Sequence, residues 1–421
     1  MENINLLLAL FLLVISSCNL NKTSNIIFSN PLAIDREDEI VQIPYNDLSE
    51  LIGEFDETQL PVFIDGGDTL TTQFIDYEKD GSIDDILIEI NLLASSQKSI
   101  LVQIIPADEY PDFIAKTNIR FAAHDDFDTE LDYAERIQTV ETKETSKILQ
   151  MEGPAWENDK VGFRNYFDLR NGMDIFGKLT SEMALENVGV NKYTKSNSEL
   201  PPVESYHEFA DWGMDILKVG NSLGSGAIAL FTQDSLYRIG DNGKGTFQRL
   251  YEGDLQSEFR FSFPGWKAGG KEFDIDHYVK ITANSYSYNS SLVLNSNVDD
   301  AEFVTGIVNL DSEDFYIEQI SDKYNVYYTH DVQAYNHVDL TLAIVAKNNL
   351  VQETGACPET GDGITQTYFI KFNTEPQQKV DYWFYAFWET SDSKFSNPEN
   401  NIDAIRTEIN KRENPIRYIS E

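Results

Sequence analysis

Basic side chains are concentrated in one block of the sequence, from Gly153 to Lys178, although the chain as a whole is acidic. Residues 151–180 contain five acidic and four basic residues, whereas the whole chain contains 71 acidic and 32 basic residues. If residues 163–170 form a strand, the period of two places these side chains on one face: Arg164, Tyr166, Asp168 and Arg170. The block is therefore suited to holding an anion. The alternative is a solvent-facing strand with ion pairs worth at most about 1 kcal/mol each.

Histidine, which titrates nearest to neutral pH, occurs five times in the sequence. No two of the five stand four residues apart, so the spacing of a helical zinc site is absent. His124 follows an apolar segment and precedes two acidic residues, whereas His207 opens a glycine-rich segment. A lone histidine is more commonly structural than catalytic, and this alternative stays open for both.

The segment after His207 contains Lys218 and then three closely spaced glycines, Gly220, Gly224 and Gly226. Such a run resembles a phosphate-binding loop, but no strand-turn-helix pattern surrounds it. We therefore expect a bend at which two backbones approach closely.

Four acidic residues surround Gly81 in a turn between two apolar segments, namely Asp76, Glu78, Asp80 and Asp84. Oxygen ligands at alternate positions around a glycine could hold Ca²⁺. The twelfth position of such a loop is Leu87 rather than a bidentate glutamate, and the flanking segments are apolar strands. We therefore favour a solvated hairpin turn and assign no metal, with a divalent cation left as a possibility.

The first residues of the chain resemble a bacterial signal peptide that ends at a lipidation site. The apolar run from Leu6 to Ile15 has 10 residues, which is too short to span a membrane. Small residues before Cys18 predict cleavage there and acylation of this cysteine, which would anchor the protein to a membrane. The alternative is an uncleaved short anchor, because residues 1–5 contain Glu2 and no basic residue. No acidic run follows Cys18, so we expect the outer membrane, facing the periplasm.

Composition excludes several classes of function. A formal net charge of −39 argues against a nucleic-acid partner, because phosphate binding needs clusters of lysine and arginine. Cys357 is the second of two cysteines, so an acylated Cys18 leaves no pair for an intramolecular disulfide. Residues 220–224 read Gly-Asn-Ser-Leu-Gly but lack the strand-turn-helix pattern of a nucleophile elbow, and no catalytic signature surrounds Cys357, which disfavours nucleophilic hydrolysis.

The remaining pattern predicts an all-β fold, because short β-branched and aromatic segments follow one another between turn residues. These segments are Ile100–Ile105, Val161–Phe167, Ala227–Phe231, Phe259–Phe263, Val279–Ala283, Leu340–Val345, Tyr368–Phe372 and Tyr382–Trp388. Helical spacing is clear only at Ile402, Ile405 and Ile409. A chain of this length exceeds a single core, so two units are expected. We predict a signal peptide over residues 1–17, a tether over 18–36, a small β-sandwich over 37–118 and a larger one over 119–421.

Four segments carry a resemblance to a known family, and they are Trp156–Asp159, Arg164–Lys178, Tyr206–His207 and Asp215–Gly224. They are similar to segments of the ulvan oligosaccharide dehydratase family, formerly uncharacterised bacterial lipoproteins encoded beside polysaccharide-degrading enzymes. The resemblance covers nearly the whole mature chain. It implies that the larger unit is a galactose-mutarotase-like supersandwich, with the N-terminal β-sandwich packed on it.

The resemblance also implies an activity, the removal of water across C4 and C5 of a non-reducing terminal uronate in an anionic oligosaccharide. A cation must offset the charge that builds on the uronate carboxylate, and Arg164 or Lys218 is implied in this role. A base must take the C5 proton while an acid protonates the departing hydroxyl. His124 and His207 are implied here in an unassigned order, with Tyr166 as a substitute for either.

The implied substrate-binding residues are Trp156, which would stack on a sugar, and Lys218, Asp168, Arg170 and His330. We expect His124 and His207 to face one another across a single cleft. Two other classes of function remain open: a glycan-binding lipoprotein that transfers no proton, and a sugar epimerase or mutarotase that uses the same acid and base without elimination. The resemblance does not decide whether a divalent cation assists.

Overall fold

The computed structural model describes residues 23–123, 126–139, 145–146, 148–189, 206–240 and 244–420. The predicted signal peptide, Cys18 and His124 lie outside the described residues. Strands dominate the described chain, so the all-β prediction is confirmed. The strands are β1 (Thr23–Ser29), β2 (Arg36–Pro44), β3 (Gln59–Asp65), β4 (Asp68–Thr69), β5 (Thr72–Ile75), β6 (Asp85–Leu92), β7 (Gln97–Pro106), β8 (Thr117–Arg120), β9 (Ala122–Ala123), β10 (Asp126–Glu130), β11 (Tyr133–Glu135), β12 (Ala155–Asn158), β13 (Val161–Asn165), β14 (Met173–Lys178), β15 (Gly213–Asp215), β16 (Ser225–Thr232), β17 (Ser235–Arg238), β18 (Thr246–Tyr251), β19 (Gln256–Ala268), β20 (Lys271–Thr282), β21 (Ser287–Leu294), β22 (Glu302–Val308), β23 (Tyr316–Gln319), β24 (Tyr324–Asp331), β25 (Leu340–Lys347), β26 (Val351–Ala356), β27 (Thr367–Phe372), β28 (Lys379–Trp388) and β29 (Arg417–Ser420).

Two helices of eight or more residues pack on the sheets in the described part of the chain. Helix α1 (Tyr45–Ile52) packs in the N-terminal unit, and helix α2 (Pro398–Glu413) packs in the C-terminal part of the chain. Short 3-10 turns occur at Ala107–Glu109, Gln150–Glu152 and Ser393–Ser396. No helix of the described residues is long and apolar enough to cross a membrane.

The N-terminal unit is a small sandwich of two sheets, with strand orders β29-β1-β7-β3-β4 and β2-β6-β5. Its core contains Ile26 and Phe28 from β1, which are fully buried. The predicted tether over residues 18–36 is therefore wrong where it includes β1. Pairing with β7 on one side and β29 on the other orders this strand, although its sequence is rich in serine and asparagine. The predicted end of the larger unit at residue 421 is corrected as well, because β29 belongs to the small sandwich.

The larger unit packs two five-stranded sheets against one face of a nine-stranded sheet. The nine-stranded order is β11-β18-β19-β20-β21-β28-β25-β24-β23, and the five-stranded orders are β15-β14-β13-β12-β8 and β17-β16-β22-β27-β26. One apolar core joins all three sheets, as the predicted supersandwich requires. Every strand predicted from the sequence lies within or overlaps a strand of the structure.

Helix α2 covers the other face of the nine-stranded sheet. Ile402, Ile405 and Ile409 point into that interface and are buried, which confirms the predicted helix. Asn397 caps the helix by accepting from the backbone N–H of Glu399, and Pro398 occupies the first turn, where a missing N–H costs nothing. The face beneath α2 is thus separate from the face that packs on the five-stranded sheets.

Candidate active site

The five-stranded sheet of β8 and β12–β15 carries a row of polar side chains on its outer face. Strand β13 pairs with β14 so that Arg164 lies opposite Asp174, and β14 pairs with β15 so that Phe176 lies opposite Asp215. Side chains alternate along a strand, and Ile175 on the inner face belongs to the core of the larger unit. The pairing of the strands therefore brings carboxylates from two strands to one arginine.

Arg164 is at the centre of this row and is 1% exposed. Its Nη2 atom donates to Oδ2 of Asp174 and to Oδ2 of Asp215, each at 2.7 Å. The rings of Tyr166 and Tyr206 lie 5.0 and 4.8 Å from the guanidinium carbon. The expectation that Arg164 binds a substrate carboxylate is contradicted, because two protein carboxylates already occupy its buried guanidinium.

Asp174 is buried and accepts hydrogen bonds from Arg164 and from the hydroxyl of Tyr166, the latter at 2.6 Å. Burial, followed by the negative charge of Asp215, raises the pKa of Asp174 to about 6. Burial, followed by the negative charge of Asp174, raises the pKa of Tyr166 well above its ordinary value. Tyr166 therefore keeps its proton at neutral pH and orients Asp174, so it is unsuited to the role of base that we considered.

His207 carries the cluster to the surface of the protein. Its Nδ1 atom lies 3.2 Å from Oδ2 of Asp215, and half of its side chain is exposed. The hydrogen bond to Asp215 raises the pKa of His207 above its ordinary value, while burial acts in the opposite direction. The buried carboxylate orients the imidazole through Nδ1, so proton exchange with a bound molecule would take place at Nε2. We call Arg164, Asp174, Asp215, Tyr166 and His207 the Arg164 cluster.

Asp168 and Arg170 lie in a turn rather than on the predicted strand face, because β13 ends at Asn165. Nη2 of Arg170 donates to Asp168 and to Glu152, at 2.6 and 2.8 Å, and its guanidinium lies 4.2 Å from the ring of Tyr166. Asp168 is fully buried. Both side chains are thus held by contacts within the protein. This corrects the substrate-binding role predicted for Asp168 and for Arg170. Arg170 instead packs on the ring of Tyr166 and helps to fix its position.

Arg136 holds the same turn from the other side. It is buried, and its Nη1 atom donates to the side chain of Asn165 and to the carbonyl oxygens of Tyr166 and Asp168. Three acceptors on one turn restrict the position of Tyr166, and through it the position of Asp174. The composition of the block from Gly153 to Lys178 did not indicate this contribution.

Two other predicted site residues, Trp156 and His330, are not part of the Arg164 cluster. Trp156 is 0% exposed in the core, between Phe163 and Phe259, so it cannot stack on a sugar. His330 lies on β24 and its Nδ1 atom is 2.8 Å from the hydroxyl of Thr341, which also contacts helix α2 through Asn401. His330 therefore lies on the face of the nine-stranded sheet beneath α2, away from the Arg164 cluster. This corrects the substrate-binding role predicted for His330.

Lys218 is exposed, three residues after Asp215. Its exposure leaves the ammonium group at the surface of the protein. Two of the three glycines that follow it, Gly224 and Gly226, form the predicted close approach. A Cβ atom on Gly224 would lie 2.0 Å from the carbonyl oxygen of Met173, and one on Gly226 would lie 2.6 Å from the hydroxyl of Tyr288.

The acidic turn around Gly81 joins β5 to β6 and is the predicted hairpin connection. Three carboxylate oxygens, one each from Asp76, Glu78 and Asp84, all lie within 4.8 Å of one another. The side chain of Asp80 instead accepts from the backbone N–H of Ser82. The negative charge of Asp84 raises the pKa of Glu78, as mutual repulsion between exposed carboxylates predicts.

A groove of about 800 Å³ lies between β2, the connection from β20 to β21 and helix α2. Five acidic and three basic side chains line it: Glu37, Asp38, Glu39, Asp403 and Glu408, with Lys394, Lys411 and Arg412. No histidine lines the groove, so it offers no side chain that normally titrates near neutral pH. Size alone therefore does not indicate the site of acid–base chemistry, whereas the Arg164 cluster reaches the surface at His207.

Residues 28–417 match the family described as Domain of unknown function (DUF4861). The chain belongs to this family. The matched range includes every residue of the Arg164 cluster, so the cluster is part of the DUF4861 domain itself. A relative within the curated proteins is Uncharacterized protein P7 of Formosa agariphila, 22% identical over 275 residues. That alignment covers 61% of this chain and spans 60% of the relative's length.

Two solved structures from Enterococcus faecalis are similar to the DUF4861 chain in the course of the backbone. One is an alpha-mannosidase, with 9% identity and a TM-score of 0.46, covering 95% of this chain and 46% of the mannosidase. The other is a protein in glycosyl hydrolase family 38, with 10% identity and a TM-score of 0.46, covering 95% and 47% of the two chains. The DUF4861 chain thus spans about half the length of either protein.

Sequence reasoning missed the two carboxylates of the DUF4861 site, Asp174 and Asp215. Both stand within the segments that carry the family resemblance, but their role depends on which strands pair and in what register. Tyr206 was named only as a neighbour of His207, and its ring proves to cover the guanidinium of Arg164. An aspartate ten residues after Arg164, on the far side of a turn, was the one available signal.

Proposed function

We propose that this DUF4861 protein is a carbohydrate dehydratase, a carbon-oxygen lyase that acts on the non-reducing terminal uronate of an anionic, ulvan-type oligosaccharide. It would eliminate water and leave a 4,5-unsaturated uronyl end. One observation carries the proposal: a half-exposed histidine is oriented by a buried carboxylate, at the point where separate segments of the chain resembling the dehydratases meet. Arg164 and Asp174 come from one of these segments, His207 from a second and Asp215 from a third.

His207 is the base in this proposal. Its neutral imidazole would take the C5 proton at Nε2, and the negative charge of Asp215 would stabilise the imidazolium that forms. The electron pair of the C5–H bond would become the second bond between C4 and C5 as the C4–O bond breaks. The departing hydroxide would take a proton from an acid and leave as water. His124, which lies outside the described residues, is assigned the remaining role of acid in this proposal.

The uronate carboxylate needs a cation, because negative charge builds on it as the C5 proton leaves. Arg164 is excluded from this role by its two carboxylate partners. Lys218 is an exposed cation that follows Asp215 by three residues, and we assign the role to it. An ammonium group in this position would bind the carboxylate by charge-assisted hydrogen bonds.

The test is incubation of the protein with a disaccharide that ends in a non-reducing glucuronate, while ultraviolet absorbance reports the conjugated unsaturated uronate. The expected result is a rising absorbance together with a product that is one water lighter by mass spectrometry. The same disaccharide with its terminal carboxyl group reduced to an alcohol serves as the matched control and should not react.

Each rival function gives a different result in the same assay. A glycan-binding protein would bind the disaccharide and leave both absorbance and mass unchanged. An epimerase or mutarotase would change the sugar's nuclear magnetic resonance spectrum at constant mass. Either result would contradict the dehydratase proposal.

We also propose that acylated Cys18 anchors the protein to the outer membrane, facing the periplasm. The support is the short apolar run that leads to this cysteine. Mass spectrometry of membrane-extracted protein should show acyl chains on Cys18, and Cys18→Ala should release a folded, soluble protein. Unmodified Cys18 in the membrane fraction would contradict the anchor.

A further inference from the structure

Exposed aromatic side chains lie beside His207 on the outer surface of the DUF4861 domain. The ring centroid of Tyr335 is 6.3 Å from that of His207, and the two planes are inclined by 42°. Tyr335 is 55% exposed, and Phe209, two residues after His207, is 56% exposed. Large apolar side chains with this exposure form a surface on which a flat apolar face can bind.

The backbone around Tyr335 is held in place without help from its own ring. The N–H of Tyr335 donates to the carbonyl oxygen of Ile216 at 2.8 Å, so the residue after Asp215 fixes this loop. Gln333 donates to the carbonyl oxygen of Leu340 at 2.7 Å. Asn336 accepts from Trp388 Nε1 at 3.0 Å and donates to the hydroxyl of Thr390 at 3.0 Å. The aromatic ring is thus presented on an ordered loop, which lowers the entropic cost of binding.

We infer that Tyr335 stacks on the pyranose ring of the terminal uronate and holds it for proton transfer with His207. The inference rests on the proposed function and names a binding residue for that same site. A pyranose presents C–H bonds on its faces, and the positive edge of such bonds is attracted to the negative face of an aromatic ring. A sugar stacked on Tyr335 would lie within reach of His207, because the two ring centroids are only 6.3 Å apart.

This residue takes the role that the sequence led us to assign to Trp156. Trp156 belongs to the apolar core, whereas Tyr335 is exposed next to the acid–base residue. Two contacts would then position the uronate: Tyr335 on the face of the ring and Lys218 on its carboxylate. Stacking contributes affinity with little discrimination, so the carboxylate contact would provide the preference for an acidic sugar.

The kinetic test compares wild-type protein with Tyr335→Ala and Tyr335→Phe on the glucuronate-terminated disaccharide. Tyr335→Ala should raise KM about fivefold, since an aromatic contact is worth about 1 kcal/mol, with a smaller change in kcat. Tyr335→Phe keeps the ring and should stay within about twofold of wild type. Tyr316→Ala is the matched control, because Tyr316 is 41% exposed on β23, at the edge of the nine-stranded sheet and next to Tyr328 beneath α2. It should leave KM unchanged.

Calorimetric titration with the same disaccharide separates this inference from the proposed function. The titrations use the His207→Gln background, in which proton transfer is removed, with and without Tyr335→Ala. A dissociation constant that rises about fivefold on removal of the Tyr335 ring supports the inference, even if wild-type protein makes no unsaturated product. Equal dissociation constants, or no binding in the background protein, would overturn it whatever the activity assay shows.

Discussion

Two buried ionic clusters lie on the same face of the five-stranded sheet formed by β8 and β12–β15. They differ in the number of acidic and basic side chains. Lys178 and Glu157 form a closed pair in which both side chains are 0% exposed. The ammonium of Lys178 also donates to the carbonyl oxygens of Asn158 and Glu182, which uses its three hydrogens. The Arg164 cluster has two buried carboxylates for one guanidinium and ends at His207, whose side chain is half exposed.

The difference separates a structural role from a functional one. A closed pair with satisfied hydrogen bonds has no reason to exchange protons, because neither charge meets solvent. The Arg164 cluster keeps an excess negative charge away from water, and this excess acts on the pKa values of Asp174 and His207. Burial of an ion pair alone therefore does not indicate a functional site. An unequal number of acidic and basic side chains, together with a member that reaches the surface, is the better indication.

The largest effect is expected from breaking the closed pair. Lys178→Met leaves Glu157 buried without its cation, so the free energy of unfolding should fall by about 3–5 kcal/mol. Equilibrium denaturation measures this change. The fraction that stays folded should keep the wild-type KM and pH profile, since Lys178 has no part in the Arg164 cluster. A pH profile that moves with Lys178→Met would contradict the separation of the two clusters.

Replacing the exposed end of the Arg164 cluster should do the opposite, with a large effect on activity and a small one on stability. His207→Gln keeps a side-chain amide near Asp215 but removes the base, so kcat should fall by about a hundredfold or more. The free energy of unfolding should change by about 0.5 kcal/mol or less, because the side chain is half exposed.

The wild-type pH profile gives a second measurement of the role of His207. A base must be neutral, so kcat/KM should rise with pH through the pKa of His207, which Asp215 raises above 6.5. This rise should be absent in His207→Gln. Unchanged kcat in that variant would show that His207 is a surface histidine.

Arg164→Lys should have an intermediate effect that acts through its neighbours. A lysine keeps the charge but cannot hold Asp174 and Asp215 with a planar fork, so the position of Asp215 and of His207 should loosen. We expect kcat to fall about tenfold, equivalent to about 1.4 kcal/mol. The rise of kcat/KM with pH should also move, which distinguishes positioning from a general loss of fold. Lys178→Arg is the control, and a pH profile that moves equally there would contradict the role of Arg164.

The last expected effect is a change in how stability depends on pH. The pKa of Asp174 is raised from 3.8 to about 6 in the folded protein, so its contribution to stability is present below 3.8 and is lost as the pH rises through about 6. Asp174→Asn removes this contribution. Denaturation curves between pH 4 and 7 should show the variant becoming relatively more stable as the pH rises. Parallel curves for the two proteins would show that Asp174 stays ionised throughout.

The strands could be predicted because alternation and aromatic content are local properties, as in Phe259–Phe263 and Tyr382–Trp388. Helix α2 could be predicted for the same reason. The contact between Arg164 and Tyr166 follows from the period of a strand, and it is present.

The partners of Arg164 depend on the register of β13, β14 and β15, which no single segment encodes. Trp156 shows the limit of composition: an aromatic residue on a strand can face a sugar or the core, and only the sheet packed over it decides. Strand β1 shows another limit, because its neighbours order it rather than its own serine and asparagine.

The pairing of β29 with β1 has a consequence for how the protein is made. Ile27 of β1 lies opposite Ile419 of β29. The first described strand therefore pairs with a strand that is translated almost four hundred residues later. Chains emerge from the ribosome from the N-terminus onward, and every described strand of the larger sandwich is translated before that partner. The small sandwich is therefore the last part to close, and removal of residues 417–420 should leave its edge open in a protein whose larger unit is already assembled. Protease sensitivity confined to residues 23–106 in such a truncated chain would report this order of assembly.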